Sequence, residues 1–148
     1  MNFVLYKSLK MKRRDVLKKI VVLITVLLLF TTGTESCSKP DNGGPSDVNF
    51  TLDLTNGANA MLNIVGGFII TNGVIVIKSA PNVYYALAST CTYQVCTVNY
   101  DPGAIRIVCP CHGDTYNPAT GSVISGPATK ALARYTVTQS GNILTIRS

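Results

Sequence analysis

The sequence predicts an all-β domain, an antiparallel sandwich or small barrel, over residues 48–148. Three observations predict it. Short runs rich in β-branched and aromatic residues are separated by turn signals from Val48 to the end of the chain. One of those signals, Asn72-Gly73 between two apolar runs, favours the paired positive-φ positions of a type I′ hairpin turn. No segment keeps the 3.6-residue period long enough for a substantial helix, and Ala58–Val65 has room for one or two turns.

The elements follow in order. Val48–Leu54 alternates apolar and polar residues, as a half-buried strand does. Phe68–Ile77 is read as a hairpin about Asn72-Gly73, after a turn or bulge at Gly66-Gly67. Val83–Ala88 and Ala104–Val108 are strands, each leading into a cysteine-containing loop, with Asp101-Pro102-Gly103 as the turn between. Ala131–Thr138 and Asn142–Arg147 close the domain as a hairpin around Gln139-Ser140-Gly141. Tyr84, Tyr85, Tyr100 and Tyr135 fall on these runs and read as strand and core aromatics. A core of this size is modest, so a covalent cross-link or a bound group would help hold it.

Charge separates the N-terminus from the rest. Seven of the 13 Lys and Arg residues lie at or before Lys19, whereas residues 38–148 carry six basic and five acidic side chains. The net charge of +6 therefore belongs to the N-terminal segment and gives no footprint for nucleic acid. Basic residues through Lys19 precede an 11-residue apolar run, Ile20–Phe30, too short to span a bilayer comfortably. Residues 1–37 read as an export signal. Arg13-Arg14-Asp15-Val16-Leu17-Lys18 resembles the twin-arginine export motif, with Val16 where Phe is commoner; an ordinary secretory signal with two arginines is the alternative. Thr34-Glu35-Ser36-Cys37 resembles a loose lipobox, the site at which bacterial lipoproteins are cut and lipidated, here on Cys37. Residues 38–47, polar and rich in Pro and Gly, read as a flexible tether.

The other four cysteines share one 21-residue window closed by the only histidine: Cys91-Thr92-Tyr93-Gln94-Val95-Cys96, 12 residues, then Cys109-Pro110-Cys111-His112-Gly113. Two such loops are a metal-site layout.

The pair resembles the cluster-binding loops of the Rieske iron–sulfur family, Cys-x-His-x-x-Cys followed by Cys-x-Cys-His-Gly. In that family two cysteines bind one iron of a [2Fe-2S] cluster and two histidines bind the other. Gly121–Ala128 resembles the family's third loop, which covers the cluster. The resemblance is good over about residues 85–148. It implies a Rieske-like sandwich or barrel with a two-loop cluster-binding subdomain, Cys91 and Cys109 on the buried iron and His112 on the solvent-facing iron. It also implies a Cys96–Cys111 disulfide, which closes a loop of about 16 residues and contributes on the order of 3 kcal/mol. Asp114 falls where high-potential members carry a serine that donates to cluster sulfur, and Tyr116 where a second donor sits; both would tune the potential.

One ligand departs from the pattern: position 93 is Tyr, and no second histidine exists in the chain. Three readings stay open. A cluster is bound by Cys91, Cys109 and His112, with Tyr93, water or an outside group as the fourth ligand; a tyrosine reaches farther than a histidine, so its loop must shift. No cluster is bound, and disulfides hold the fold. Or the Cys91/Cys109/His112 trio holds a single ion. The corresponding functions are an electron carrier at the outer face of a bacterial membrane, serving a redox partner protein or envelope complex, and a cluster-free lipoprotein acting as an interaction module. Either would be exported and membrane-anchored, through an N-terminal lipid or an uncleaved signal. A terminal oxygenase is excluded, since the chain lacks the histidines for a mononuclear iron site.

Overall fold

The structure is a computed structural model that describes residues 43–148. The export signal, the twin-arginine-like motif, Cys37 and the first part of the tether lie outside the described residues. Among the described residues no helix is long and apolar enough to cross a membrane.

Ten antiparallel strands form two sheets: β1 (Asn49–Asp53), β2 (Phe68–Thr71), β3 (Val74–Ala80), β4 (Val83–Ala88), β5 (Asn99–Asp101), β6 (Arg106–Val108), β7 (Thr115–Tyr116), β8 (Val123–Ser125), β9 (Arg134–Ser140) and β10 (Ile143–Arg147). The larger sheet has the order β1-β10-β9-β4-β3-β2 and the smaller β5-β6-β7-β8. The helical stretch is a 3-10 helix, Gly57–Asn63, whose first turn is capped by Asn56 Oδ1 accepting from the Ala58 amide at 3.0 Å.

The β2–β3 hairpin turns as its sequence predicts, with φ of 51° at Asn72 and 74° at Gly73. Strand β3 explains why Val74-Ile75-Val76-Ile77 is apolar without alternation. Val74 and Val76 enter one core with Leu52, Leu62, Ala86, Leu144 and Ile146, while Ile75 and Ile77 enter a second with Leu87, Val98, Tyr100, Ile107, Tyr116 and Leu132. All four side chains are fully buried, so β3 is the wall shared by both cores. The second core packs the small sheet onto the large one and includes Cys91 and Cys109.

Three boundaries differ from the sequence reading. The strand expected from Ala104 starts at Arg106, because Ile105 takes a positive φ of 50° and prolongs the turn. The strand expected from Ala131 starts at Arg134; Leu132 and Ala133 are instead held by amide–carbonyl bonds to Gly121 and Ala88. The last turn falls on Gly141-Asn142, with Ser140 opposite Ile143 and Gly141 at φ 56°.

Residues 43–45, within the expected tether, lie against the large sheet. A Cβ at Gly44 would clash with Ala88 Cβ and with Tyr135 Oη, and the Tyr135 hydroxyl donates to the Pro45 carbonyl at 2.9 Å. Burial pushes the Tyr135 phenol above its ordinary pKa.

Candidate iron–sulfur site

Each cysteine loop is closed at its base by the backbone. In the first, between β4 and β5, Thr90 pairs with Thr97, the Cys91 amide donates to the Cys96 carbonyl at 2.8 Å, and the Val98 amide to the Ser89 carbonyl at 2.8 Å. In the second, between β6 and β7, the Cys109 amide donates to the Asp114 carbonyl at 2.7 Å and the Gly113 amide to the Cys109 carbonyl at 3.0 Å. Gly113 takes a φ of 73° there, which an L side chain rarely adopts. A Cys96–Cys111 disulfide joins the two tips across 6.5 Å between Cα atoms.

The remaining donors fall into two pairs. Cys91 and Cys109 are buried free thiols, and their sulfurs lie with a carboxylate oxygen of Asp114 within 4.8 Å of one another. Burial pushes the Cys109 thiol up, while the amides of Cys111 and His112 pull against that shift by donating to its sulfur. Tyr93 and His112 are exposed, their rings edge to face with centroids 5.2 Å apart. A single tetrahedral ion needs its donors gathered at one point. His112 belongs to neither group of clustered ligand atoms found among the described residues. A buried pair and an exposed pair on two facing loops suit a centre of two metals, one inside and one outside.

Around the thiols the polar groups are satisfied in detail. Tyr116, fully buried, has its hydroxyl 3.3 Å from Cys91 Sγ, 3.1 Å from Thr92 Oγ1 and 3.3 Å from the Thr92 amide, which donates to it. Burial first, then the Cys91 contact, push its pKa up to about 12, so it is a neutral hydroxyl at physiological pH. Asp114, also fully buried, accepts from the Ala128 amide at 2.6 Å and from the Cys91 thiol at 3.4 Å. The third loop thus lies on Asp114: a Cβ at Gly126, where φ is 106°, would meet Asp114 Oδ1 at 2.5 Å. Where the resemblance expects a serine donor, the fold holds an acceptor.

Sequence reasoning named Cys91, Tyr93, Cys96, Cys109, Cys111, His112, Asp114 and Tyr116; the structure sets Cys91 with Cys109, Asp114 and Tyr116, joins Cys96 to Cys111, and leaves His112 beside Tyr93 at the surface. Sequence reasoning missed Thr92, whose hydroxyl donates to the Lys130 carbonyl at 2.6 Å and ties the first loop to the segment after the third. It also missed Gly43, whose Cβ position lies 3.2 Å from the Thr90 carbonyl oxygen and from Thr92 Cγ2. Neither residue carries a local signal, since both matter through contacts made across the fold.

This arrangement is that of a known family. The Rieske [2Fe-2S] domain matches residues 48–136, and the chain belongs to that family. Over 49 residues it is 45% identical to the cytochrome b6-f complex iron-sulfur subunit of Prochlorococcus marinus (strain MIT 9303), a match covering 33% of this chain and 27% of that subunit. The same subunit of Synechococcus sp. (strain WH7803) matches to the same extent. The chain thus matches only about a quarter of the length of these relatives. Its fold is similar to that of the cyanobacterial plasma membrane Rieske protein PetC3 from Synechocystis PCC 6803, with a TM-score of 0.52 and 27% identity over 68% of this chain and 99% of that one. The ferredoxin of carbazole 1,9a-dioxygenase from Nocardioides aromaticivorans IC177 shares the fold with a TM-score of 0.52 at 17% identity, over 70% of this chain and 98% of that one.

Membership implies a [2Fe-2S] cluster; the cysteine ligands for its inner iron are present, and the second histidine of the family's outer pair is absent. The inner pair is two thiols, buried and facing. At the surface one imidazole, His112, stands beside the Tyr93 ring.

Proposed function

We propose that the protein is a Rieske-type electron carrier of the bacterial cell envelope. Cys91 and Cys109 would hold the inner iron of a [2Fe-2S] cluster and His112 the outer one. The observation that carries this reading is the pair of buried free thiols on loops pinned together by the Cys96–Cys111 disulfide. When bound there, the cluster supplies reversible one-electron transfer.

The chain's own residues set the conditions. Burial raises the Cys109 thiol pKa, and the amides of Cys111 and His112 offset part of that shift in favour of the thiolate a metal would need. A ligating Cys91 has no proton to give, so the Tyr116 hydroxyl becomes the donor to its sulfur, at 3.3 Å. Asp114 then places a carboxylate 3.4 Å from that sulfur, which favours the more positive, oxidised centre and lowers the potential. His112, at the surface, marks the side on which a redox partner would dock.

Export by the N-terminal segment, lipid attachment at Cys37 and delivery of electrons to a partner protein or envelope complex complete the reading. The named relatives include a subunit of a cytochrome complex and a plasma membrane protein, which supports a membrane setting. Fractionation of cells expressing the full chain, with Cys37→Ala as the comparison, tests the anchor. Wild type should sediment with membranes and label with palmitate, and the variant should do neither.

A cluster-free interaction module is the second reading. Hydrogen bonding favours it: among the described residues every buried side-chain nitrogen and oxygen has a partner, and Asp114 is satisfied by a protonated Cys91. Analysis of iron and acid-labile sulfide divides the two readings.

A further inference from the structure

We propose that Tyr93 is the fourth cluster ligand, so that the outer iron is held by one imidazole and one phenolate. This deepens the electron-carrier reading and rests on it.

Tyr93 lies two residues after Cys91, on the loop opposite His112. Its ring stands edge to face with the His112 ring at 5.2 Å between centroids. The contact brings the two rings together at the surface, on the same two loops that carry the buried thiols Cys91 and Cys109. No other imidazole exists in the chain to take the place. The reach of tyrosine, longer than that of histidine, needs room on the outer side of the loop. Tyr93 is 47% exposed and Val95, at the loop tip, is 95% exposed, so the loop has solvent rather than protein beyond it.

The chemistry matches the location. A ferric ion is hard and takes an anionic oxygen well, as tyrosine-ligated haem shows. On binding, the phenol gives its proton to solvent and its oxygen donates the electron pair, and no oxidant or reductant is consumed. The site gains one unit of negative charge relative to a two-histidine centre, in both oxidation states. That favours the oxidised form, in the same direction as Asp114. It also leaves one ligand imidazole, rather than two, to couple protonation to reduction.

The same ring contact would arise from aromatic packing alone, worth about 0.5–1.5 kcal/mol. Tyr93→Phe separates the two, because it keeps the ring and removes the oxygen. The experiment uses full-length protein purified without oxygen, with iron and sulfide measured on wild type, Tyr93→Phe and Tyr93→His, alongside visible absorption and resonance Raman spectra. Wild type should show phenolate-to-iron charge transfer with enhanced phenolate ring modes. Tyr93→Phe should keep the fold and lose those modes, and should release iron to a chelator at least tenfold faster. Tyr93→His should give a conventional two-histidine spectrum at a higher potential, with a second imidazole ionisation in its pH dependence. A wild type rich in iron and sulfide, but spectrally indifferent to Tyr93→Phe, overturns the phenolate and leaves the electron carrier standing. A wild type with neither iron nor sulfide removes the electron carrier, and the phenolate with it.

Discussion

Cys91 and Cys109 come from the same two loops as Tyr93 and His112, yet the two pairs are held by different means. The thiols are built into the second hydrophobic core, beside Val98, Ile107 and Leu132, and surrounded by Tyr116, Asp114 and backbone amides. A change there would disturb packing and hydrogen bonding together. Tyr93 and His112 touch each other at the surface, with solvent beside them. A substitution there costs the fold little. The departure from the family pattern therefore falls in the half that tolerates it, and the half that the core holds keeps both cysteines.

The sharpest way to break this comparison is at the inner pair. Cys109→Ser should abolish visible absorption and bound iron altogether, since the buried iron then lacks one of two thiolates. Iron retained by that variant would show that the outer pair, rather than the core, anchors the metal.

Next in size is the clamp. Replacing Cys96 and Cys111 together with alanine should cost about 3 kcal/mol in urea unfolding, the entropy of a 15-residue separation. The loss should appear in the cluster loops first, because strands β5 to β8 have only two or three residues each. Hydrogen exchange would resolve this, with the Cys91 and Val98 amides exchanging faster and those of β9 and β10 unchanged.

Two substitutions beside Cys91 should move the reduction potential in opposite directions. Asp114→Ser removes a carboxylate and restores a donor, so voltammetry should show a rise. Tyr116→Phe removes the donor to Cys91 sulfur, so the potential should fall, by less, because no charge is altered. Shifts of the same sign would mean that these groups do not act on the sulfur.

The smallest effect lies in the other hydrophobic core. Burial raises the Tyr135 pKa, so the unfolded chain ionises at about 10 while the folded chain still holds the proton. The unfolded state then binds fewer protons. The stability due to this group is complete below that pH and falls as the pH rises toward the folded value. Tyr135→Phe should flatten the alkaline decline in urea stability and leave the spectrum of the centre unchanged.

Much of this was legible in the chain. Asn72-Gly73 dictates its turn locally, and the cysteine spacing carries the site. The register of the small sheet was not legible. Strands β7 and β8 are two and three residues long, paired across a loop, and carry no periodicity of their own. Ile105 reads as a strand residue because it is β-branched, yet it sits at a positive φ that only the surrounding turn explains. The packing of Gly43–Pro45 on the sheet was hidden for the opposite reason, since glycines and proline signal a free linker while the contacts that hold them come from Tyr135 and Ala88. The Asp114 carboxylate could be placed on the second cysteine loop from sequence, but not its two partners, one of which lies on the third loop.

The most direct test of the central claim is iron and acid-labile sulfide per chain in protein made with ample iron and purified without oxygen. A Rieske electron carrier predicts equal amounts, two of each as the [2Fe-2S] formula requires, with a brown colour and a paramagnetic signal on reduction. A correctly folded, colourless protein containing neither, with its Cys96–Cys111 disulfide intact, would contradict it.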